Sequence, residues 1–191
     1  MKLIKLTKTQ LKEIYENRMT DDFPEAELKP LDAMYSMMDL DCYDPLAVLK
    51  DDVVVGYSLL TKVPNRQFLL LDYLSIYKEY RQGGYGSEVL AKLKEHYSGK
   101  IIFIESENPD FQDEEHKKIA QKRLCFYEKN GAVNTGVLTK IWTVPYINYA
   151  LCDGQMQRSQ VEDSLNAIYE IMIPNGATRQ KMVEIPQKSF A

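Results

Sequence analysis

The chain has 191 residues and a formal net charge of −4, with 45% hydrophobic and 27% charged residues. That length can bury one sizeable core and carry an appendage, and the composition is that of a globular protein. The acidic balance argues against nucleic acid as the main partner, because a phosphate backbone calls for a basic face.

The opening MKLIKLTKTQ has no apolar leader core, and the longest apolar runs are strand-sized, so neither a signal peptide nor a membrane partner is expected. Residues 2–6 alternate and read as a first strand. Thr7 stands three residues before Gln10, a capping-box spacing. Leu11, Ile14 and Tyr15 follow at helical intervals, which predicts a helix to about Met19. Asp21-Asp22-Phe23-Pro24 breaks it. Pro30-Leu31-Asp32 opens a second helix with Met34, Met37 and Met38 on its apolar side, a stripe read as core packing. Residues 46–50 and 53–63 form a hairpin about Asp51-Asp52, and Phe68–Ile76 is the third strand of a meander. That strand is apolar on both faces apart from Asp72 and Ser75, the pattern of a central strand covered on both sides. A helix over 87–97 ends at Ser98-Gly99, and a right-handed crossover leads to a buried parallel strand at 101–104. Glu114–Lys129 is helical and stops at Asn130-Gly131. Two strands (132–143 and 145–151), a helix (159–173) and a tail to Ala191 with an edge strand at 182–185 complete the pattern. Cys42, Cys125 and Cys152, with His96 and His116, show no metal-ligand spacing. No metal is expected, and reduced thiols point to a cytoplasmic protein.

Between the third strand and its helix lies Arg81-Gln82-Gly83-Gly84-Tyr85-Gly86. Small residues let a backbone approach a ligand closely, and the helix start offers unpaired N–H groups and partial positive charge. Together they make an anion site, a phosphate site above all. No Lys-Ser or Lys-Thr pair follows, so this is not a nucleoside-triphosphate loop. The glycine spacing is not that of a dinucleotide fingerprint either.

This run matches every defined position of the pattern [RQ]-x-x-G-x-[GA]. A second run, Phe126-Tyr127-Glu128-Lys129-Asn130-Gly131-Ala132, matches F/L-Y-E-K/R-x-G-F except at its last residue. In both motifs and in element order, residues 1–152 resemble the GNAT acetyltransferase superfamily. The departures are Gln82 in place of a common glycine, Ala120 and Arg123 where the family often has Asn and Ala, and Ala132 for the final phenylalanine. The resemblance implies an α/β (α+β) fold, a central, mostly antiparallel mixed sheet of about seven strands flanked by helices. Residues 153–191 form a C-terminal helical appendage, packed on the same domain or on a second subunit of a homodimer.

The resemblance also implies acetyl-coenzyme A as co-substrate. The N–H groups of Gln82, Gly83, Gly84, Tyr85, Gly86 and Ser87 are then expected to bind its pyrophosphate, with Arg81 adding charge at the rim. Gly84 and Gly86 are expected to be small to make room for that phosphate. Backbone groups of Leu74, Ser75 and Ile76 are expected to pair with the pantetheine arm, and the Ile76 N–H to polarise the thioester carbonyl. Tyr127 matches the acid that protonates the leaving thiolate. For the base there are two candidates besides a water chain. Asp72 is four residues before Ile76, so strict alternation puts both on one face. Glu105 is at the C-terminal end of the next strand, where such sheets open onto ligand. Cys125, with no histidine nearby, is expected in the core. The implied activity is acetyl transfer to a primary amine of a small molecule or peptide by direct attack. The alternative is a non-catalytic module that binds coenzyme A as a sensor or docking domain. Two carboxylates at the acceptor end favour a cation such as a polyamine, an aminoglycoside or a lysine.

Overall fold

A computed structural model describes residues 1–186; residues 187–191, the end of the tail, lie outside it. After strand β1 (Lys2–Lys5), the capping box at Thr7 forms. The Gln10 N–H donates to the Thr7 hydroxyl at 3.3 Å, and the Thr7 N–H donates to the Gln10 side chain at 2.9 Å. Helix α1 (Lys8–Ile14) continues through a π-helical turn, Tyr15–Met19, into the short α2 (Thr20–Asp22). Helix α3 (Leu31–Asp39) follows Pro30, and its Met34 and Met37 are buried. The meander is β2 (Tyr43–Lys50), β3 (Val53–Lys62) and β4 (Phe68–Ile76). Helix α4 (Tyr85–His96) crosses to β5 (Ile101–Glu107), and α5 (Glu114–Lys129), β6 (Val133–Ile141) and β7 (Val144–Leu151) follow. The appendage comprises α6 (Arg158–Met172), α7 (Gly176–Met182) and the two-residue β8 (Val183–Glu184).

The strands form one sheet in the order β1-β2-β3-β4-β5-β7-β6-β8. Every neighbouring pair is antiparallel except β4–β5. Two irregularities of β4 shape the centre of the molecule. Its pairing with β5 runs from Phe68↔Ile101 to Leu71↔Ile104 and stops, although β4 continues to Ile76 and β5 to Glu107. The two inner edges beyond that point splay apart. On the other side, Leu59 of β3 faces Tyr73 and Leu60 faces Leu71, so Asp72 is the extra residue of a β-bulge.

Strand β4 feeds three cores, which explains its apolar character on both faces. Leu69 and Leu71 pack with Val89, Leu90 and Leu93 of α4 and with Ile102 and Ile104 of β5. On the opposite face Tyr73 joins Leu11, Met34, Tyr43 and Tyr57 under the N-terminal helices. Leu70 joins Phe103, Val161, Leu165, Ile168 and Tyr169 under α6. The appended helix therefore packs on its own chain's sheet. Full burial of Val161, Leu165 and Ile168 contributes about 2 kcal/mol each. One expected core residue is elsewhere: Cys125 is exposed on α5. Helical spacing sends Leu124 and Tyr127, three apart, toward the core and turns Cys125 outward.

Candidate active site

The glycine run folds as a tight turn at the start of α4. Gln82 (φ 71°) and Gly84 (φ 78°) are both left-handed, and Gly84 is the N-cap of α4, which begins at Tyr85, two residues earlier than expected. A Cβ on Gly84 would meet nothing within 4 Å. The N–H groups of Gln82, Gly83, Gly84, Tyr85 and Gly86 have no hydrogen-bond acceptor among the described residues, whereas the Ser87 N–H is taken by the Gly84 carbonyl at 3.1 Å. The cradle thus offers the groups expected of it except Ser87.

Two further expectations change. Arg81 does not face this cradle freely. Its guanidinium pairs with Asp22 at 2.9 Å, and its Nε donates to the Ile76 carbonyl at 2.8 Å. It ties the strand end to α2. Gly86 is small for a different reason from Gly84. A Cβ there would stand 3.1 Å from Cζ of Phe126 on α5, so its smallness lets the two helices meet.

The free edge of β4 follows from hydrogen-bond phase. Tyr77 N–H donates to the Val55 carbonyl at 2.9 Å, and the register pairs Ile76 with Gly56 and Ser75 with Tyr57. In an antiparallel ladder alternate residues spend both backbone groups on the partner. Ser75 therefore bonds to β3, a correction to its expected ligand contact. Leu74 and Ile76 point their N–H and C=O groups into the splay. The Ile76 carbonyl is taken by Arg81, which leaves its N–H.

Tyr127 lies near the end of α5. Its ring packs 5.3 Å from Phe126, centroid to centroid, and against the core under α4. Its hydroxyl has no hydrogen-bond partner among the described residues. Burial pushes its pKa up and Arg123 partly offsets this, so the hydroxyl keeps its proton at neutral pH.

The two carboxylates have different surroundings. The bulge at Asp72 breaks the alternation that was expected to align it with Ile76. Leu74 and Ile76 turn toward the α4 core while Asp72 turns to the opposite face, where Lys29 Nζ lies 2.9 and 3.1 Å from its two oxygens. Tyr43 adds an O–H bond at 2.8 Å. Asp72 is a paired, nearly buried ion. Glu105 is the first residue of β5 beyond the last β4–β5 pair. Its Oε1 accepts from Thr139 Oγ1 at 3.1 Å and from the Tyr169 hydroxyl, and its Oε2 has no partner among the described residues. Burial pushes its pKa up to about 7, opposed by the Tyr169 and Thr139 hydrogen bonds.

Several groups around these carboxylates were not found from the sequence. Lys29 is held by its backbone as well, its N–H donating to the Tyr73 hydroxyl, which in turn donates to the Glu27 carbonyl. Glu27 has its carboxyl pushed up by burial and by the neighbouring Glu107, with Arg123 opposing. Tyr146 is raised by burial and by Glu105, Glu27 and Glu107. The mouth beyond the splay thus carries Glu27, Asp72, Glu105 and Glu107 against Lys29 and Arg123. Glu27 ends a short 3-10 turn (Glu25–Glu27) and Lys29 follows it, a stretch with no motif, and Tyr169 sits on an apolar helix stripe that reads as packing. A signal for Lys29 was present: a carboxylate inside an apolar strand needs a cation. No group of His, Cys, Asp and Glu among the described residues could hold a metal ion.

Comparison with known proteins agrees with this geometry. Residues 9–112 match the acetyltransferase (GNAT) family model. No curated protein matches the chain. Among solved structures, a GNAT-family protein from Bacteroides thetaiotaomicron is 17% identical, covering 92% of this chain and 99% of its own, with a TM-score of 0.69. A Salmonella typhimurium protein solved with its cofactor acetyl-CoA is 16% identical over 82% of this chain and 96% of its own, TM-score 0.55. An aminoglycoside 6'-N-acetyltransferase from Enterococcus faecium is 17% identical over 79% and 96%, TM-score 0.54. These three are similar in fold. With the glycine cradle, the splayed strands and the family match together, the chain belongs to the acetyltransferase (GNAT) family and is an acyltransferase.

Proposed function

We propose that the protein transfers an acetyl group from acetyl-coenzyme A to a primary amine of a cationic small molecule or peptide by direct attack. The observation that carries this reading is the splay of β4 from β5 after Leu71↔Ile104. It opens a slot with a free Ile76 N–H on one edge and Glu105 on the other, and Tyr127 beside it. The residues present fit the coenzyme: the cradle has open space at Gly84 and unbonded N–H groups at a helix start. The coenzyme supplies an acetyl group activated as a thioester.

The chain's own groups divide the remaining work. The N–H groups of residues 82–86 would hold the pyrophosphate, and the backbone groups of Leu74 the pantetheine arm. The Ile76 N–H would act as an oxyanion donor to the thioester. Tyr127 would supply the proton that the leaving thiolate takes up. Of the two expected bases, Asp72 has both oxygens engaged by Lys29 and Tyr43, so the role goes to Glu105, whose pKa near 7 suits a base at neutral pH. The excess of carboxylates at the mouth selects a cationic acceptor. The three free cysteines suit a cytoplasmic setting.

The test is release of coenzyme A thiol with a panel of polyamines, aminoglycosides and lysine peptides. Glu105→Gln is expected to lower kcat by on the order of 10³-fold while the thermal shift on adding acetyl-coenzyme A stays as in the wild type. A thermal shift without thiol release from any amine would refute the acceptor reading, and no shift at all would refute the coenzyme as well.

A further inference from the structure

The appended helix α6 reaches the active site through a single polar group. Tyr169 is fully buried in the core that α6 forms on the sheet, and its hydroxyl donates to Glu105 Oε1. Core packing alone does not require that hydroxyl, since phenylalanine would fill the same apolar volume. Thr139 of β6 donates to the same oxygen and itself accepts from Asn148 Nδ2 at 3.0 Å. One carboxylate oxygen is thereby held from two directions and the other is left unbonded.

We propose that Tyr169 is a positioning residue for the base Glu105: its hydrogen bond to Oε1 turns the carboxylate so that Oε2 is left to take a proton from the acceptor's ammonium group. The inference rests on the assignment of Glu105 as base. In the proton step an N–H bond of the ammonium breaks, an O–H bond forms at Oε2, and the nitrogen keeps its electron pair for attack. The C-terminal helix is therefore part of the acetyltransferase site as well as its support.

The groups that face Glu105 fix the expected pH behaviour. Asp72 on β4 raises its pKa, and Lys29, before α3, lowers it. From β7, Tyr146 and the register partner Asn148 adjoin it, with Glu27, Glu107 and Arg123 one group further out. The donors Tyr169 and Thr139 stabilise the charged form, so removing either raises the pKa.

The experiment titrates wild type and Tyr169→Phe in two ways: the ¹³C-carboxyl signal of labelled glutamate, assigned with Glu105→Gln, and the pH profile of kcat/KM with the best amine of the panel. Wild type is expected to show a midpoint near 7 in both. In Tyr169→Phe both are expected to move upward by about one pH unit, with most of the rate recovered in alkali. An acid limb near 7 that Tyr169→Phe leaves in place, or a rate lowered equally at every pH, overturns the positioning role while the base stands. A carboxyl midpoint that moves without the acid limb following it removes Glu105 as base, and the proposal with it. If Tyr169→Phe does not fold, Thr139→Val removes the other donor and is expected to move both midpoints the same way. A wild-type Glu105 midpoint at the ordinary carboxylate value overturns the proposal without any variant.

Discussion

The two ends of the slot are built from different materials. In the proposed site the donor end is mostly backbone from one continuous stretch, Leu74 and Ile76 followed by the N–H groups of residues 82–86. The proposed acceptor end is side chains from Lys29, Asp72, Glu105, Tyr146 and Tyr169, four of them on different elements and Lys29 in a connection. A backbone site needs a turn conformation and room, which local sequence can specify. A side-chain site needs the sheet order and the helix packing first. The first should therefore break by local insertion, and the second by loss of a distant partner.

The largest expected effect is at the donor end. Gly84→Asp places a carboxylate in the open space before α4. Aspartate accepts the left-handed backbone better than most residues, and no atom within 4 Å opposes its Cβ. The variant is expected to melt within a few degrees of wild type (about 1 kcal/mol of backbone cost). A ligand at 100 times its Kd stabilises a protein by about 2.7 kcal/mol, and this acetyl-coenzyme A shift is expected to vanish. Calorimetry that still finds wild-type affinity would remove the cradle from the binding site.

At the acceptor end a distant lysine carries the next largest effect. Lys29 and Asp72 have side chains only 13% and 8% exposed. Removing one partner of such a pair strands the other's charge and costs about 3 kcal/mol. Lys29→Met is expected to lower Tm by roughly 6–12 °C. Adding Asp72→Asn should recover part of that loss, because the stranded charge goes with it. A double variant no more stable than Lys29→Met would argue that Asp72 is held chiefly by Tyr43.

This contrast also explains what could be read in the chain beforehand. The glycine turn, the central strand and the helix that ends at Asn130-Gly131 were legible because each depends on residues close together in the chain. The bulge at Asp72 was not. It inserts one residue into an apparently regular run, and nothing in Leu71-Asp72-Tyr73 distinguishes it from strict alternation. That single residue moved Asp72 to the face opposite Ile76 and gave it to Lys29. Arg81 was misplaced for a similar reason. An arginine beside a phosphate cradle suggests a phosphate contact, but Asp22 on α2 folds back within its reach. The hydrogen bond from Tyr169 to Glu105 becomes visible only when α6 is laid on the sheet.

The smallest effect separates Gly84 from Gly86, two of the three glycines of the cradle, which the sequence treats alike. At Gly84 the backbone is left-handed and the space is open, so a side chain meets the ligand rather than the protein. At Gly86 the backbone is ordinary helix, and an added Cβ lies 3.1 and 3.3 Å from Cζ and Cε2 of Phe126. That ring is only partly buried, so it can yield by a few tenths of an ångström at a cost of about 1 kcal/mol. Alanine returns a similar amount through helix propensity. Gly86→Ala is therefore expected to leave Tm nearly unchanged and to weaken acetyl-coenzyme A binding by no more than a few-fold, through the small shift of Phe126 beside Tyr127. If it abolished binding as Gly84→Asp should, Gly86 would owe its smallness to the phosphate and not to Phe126.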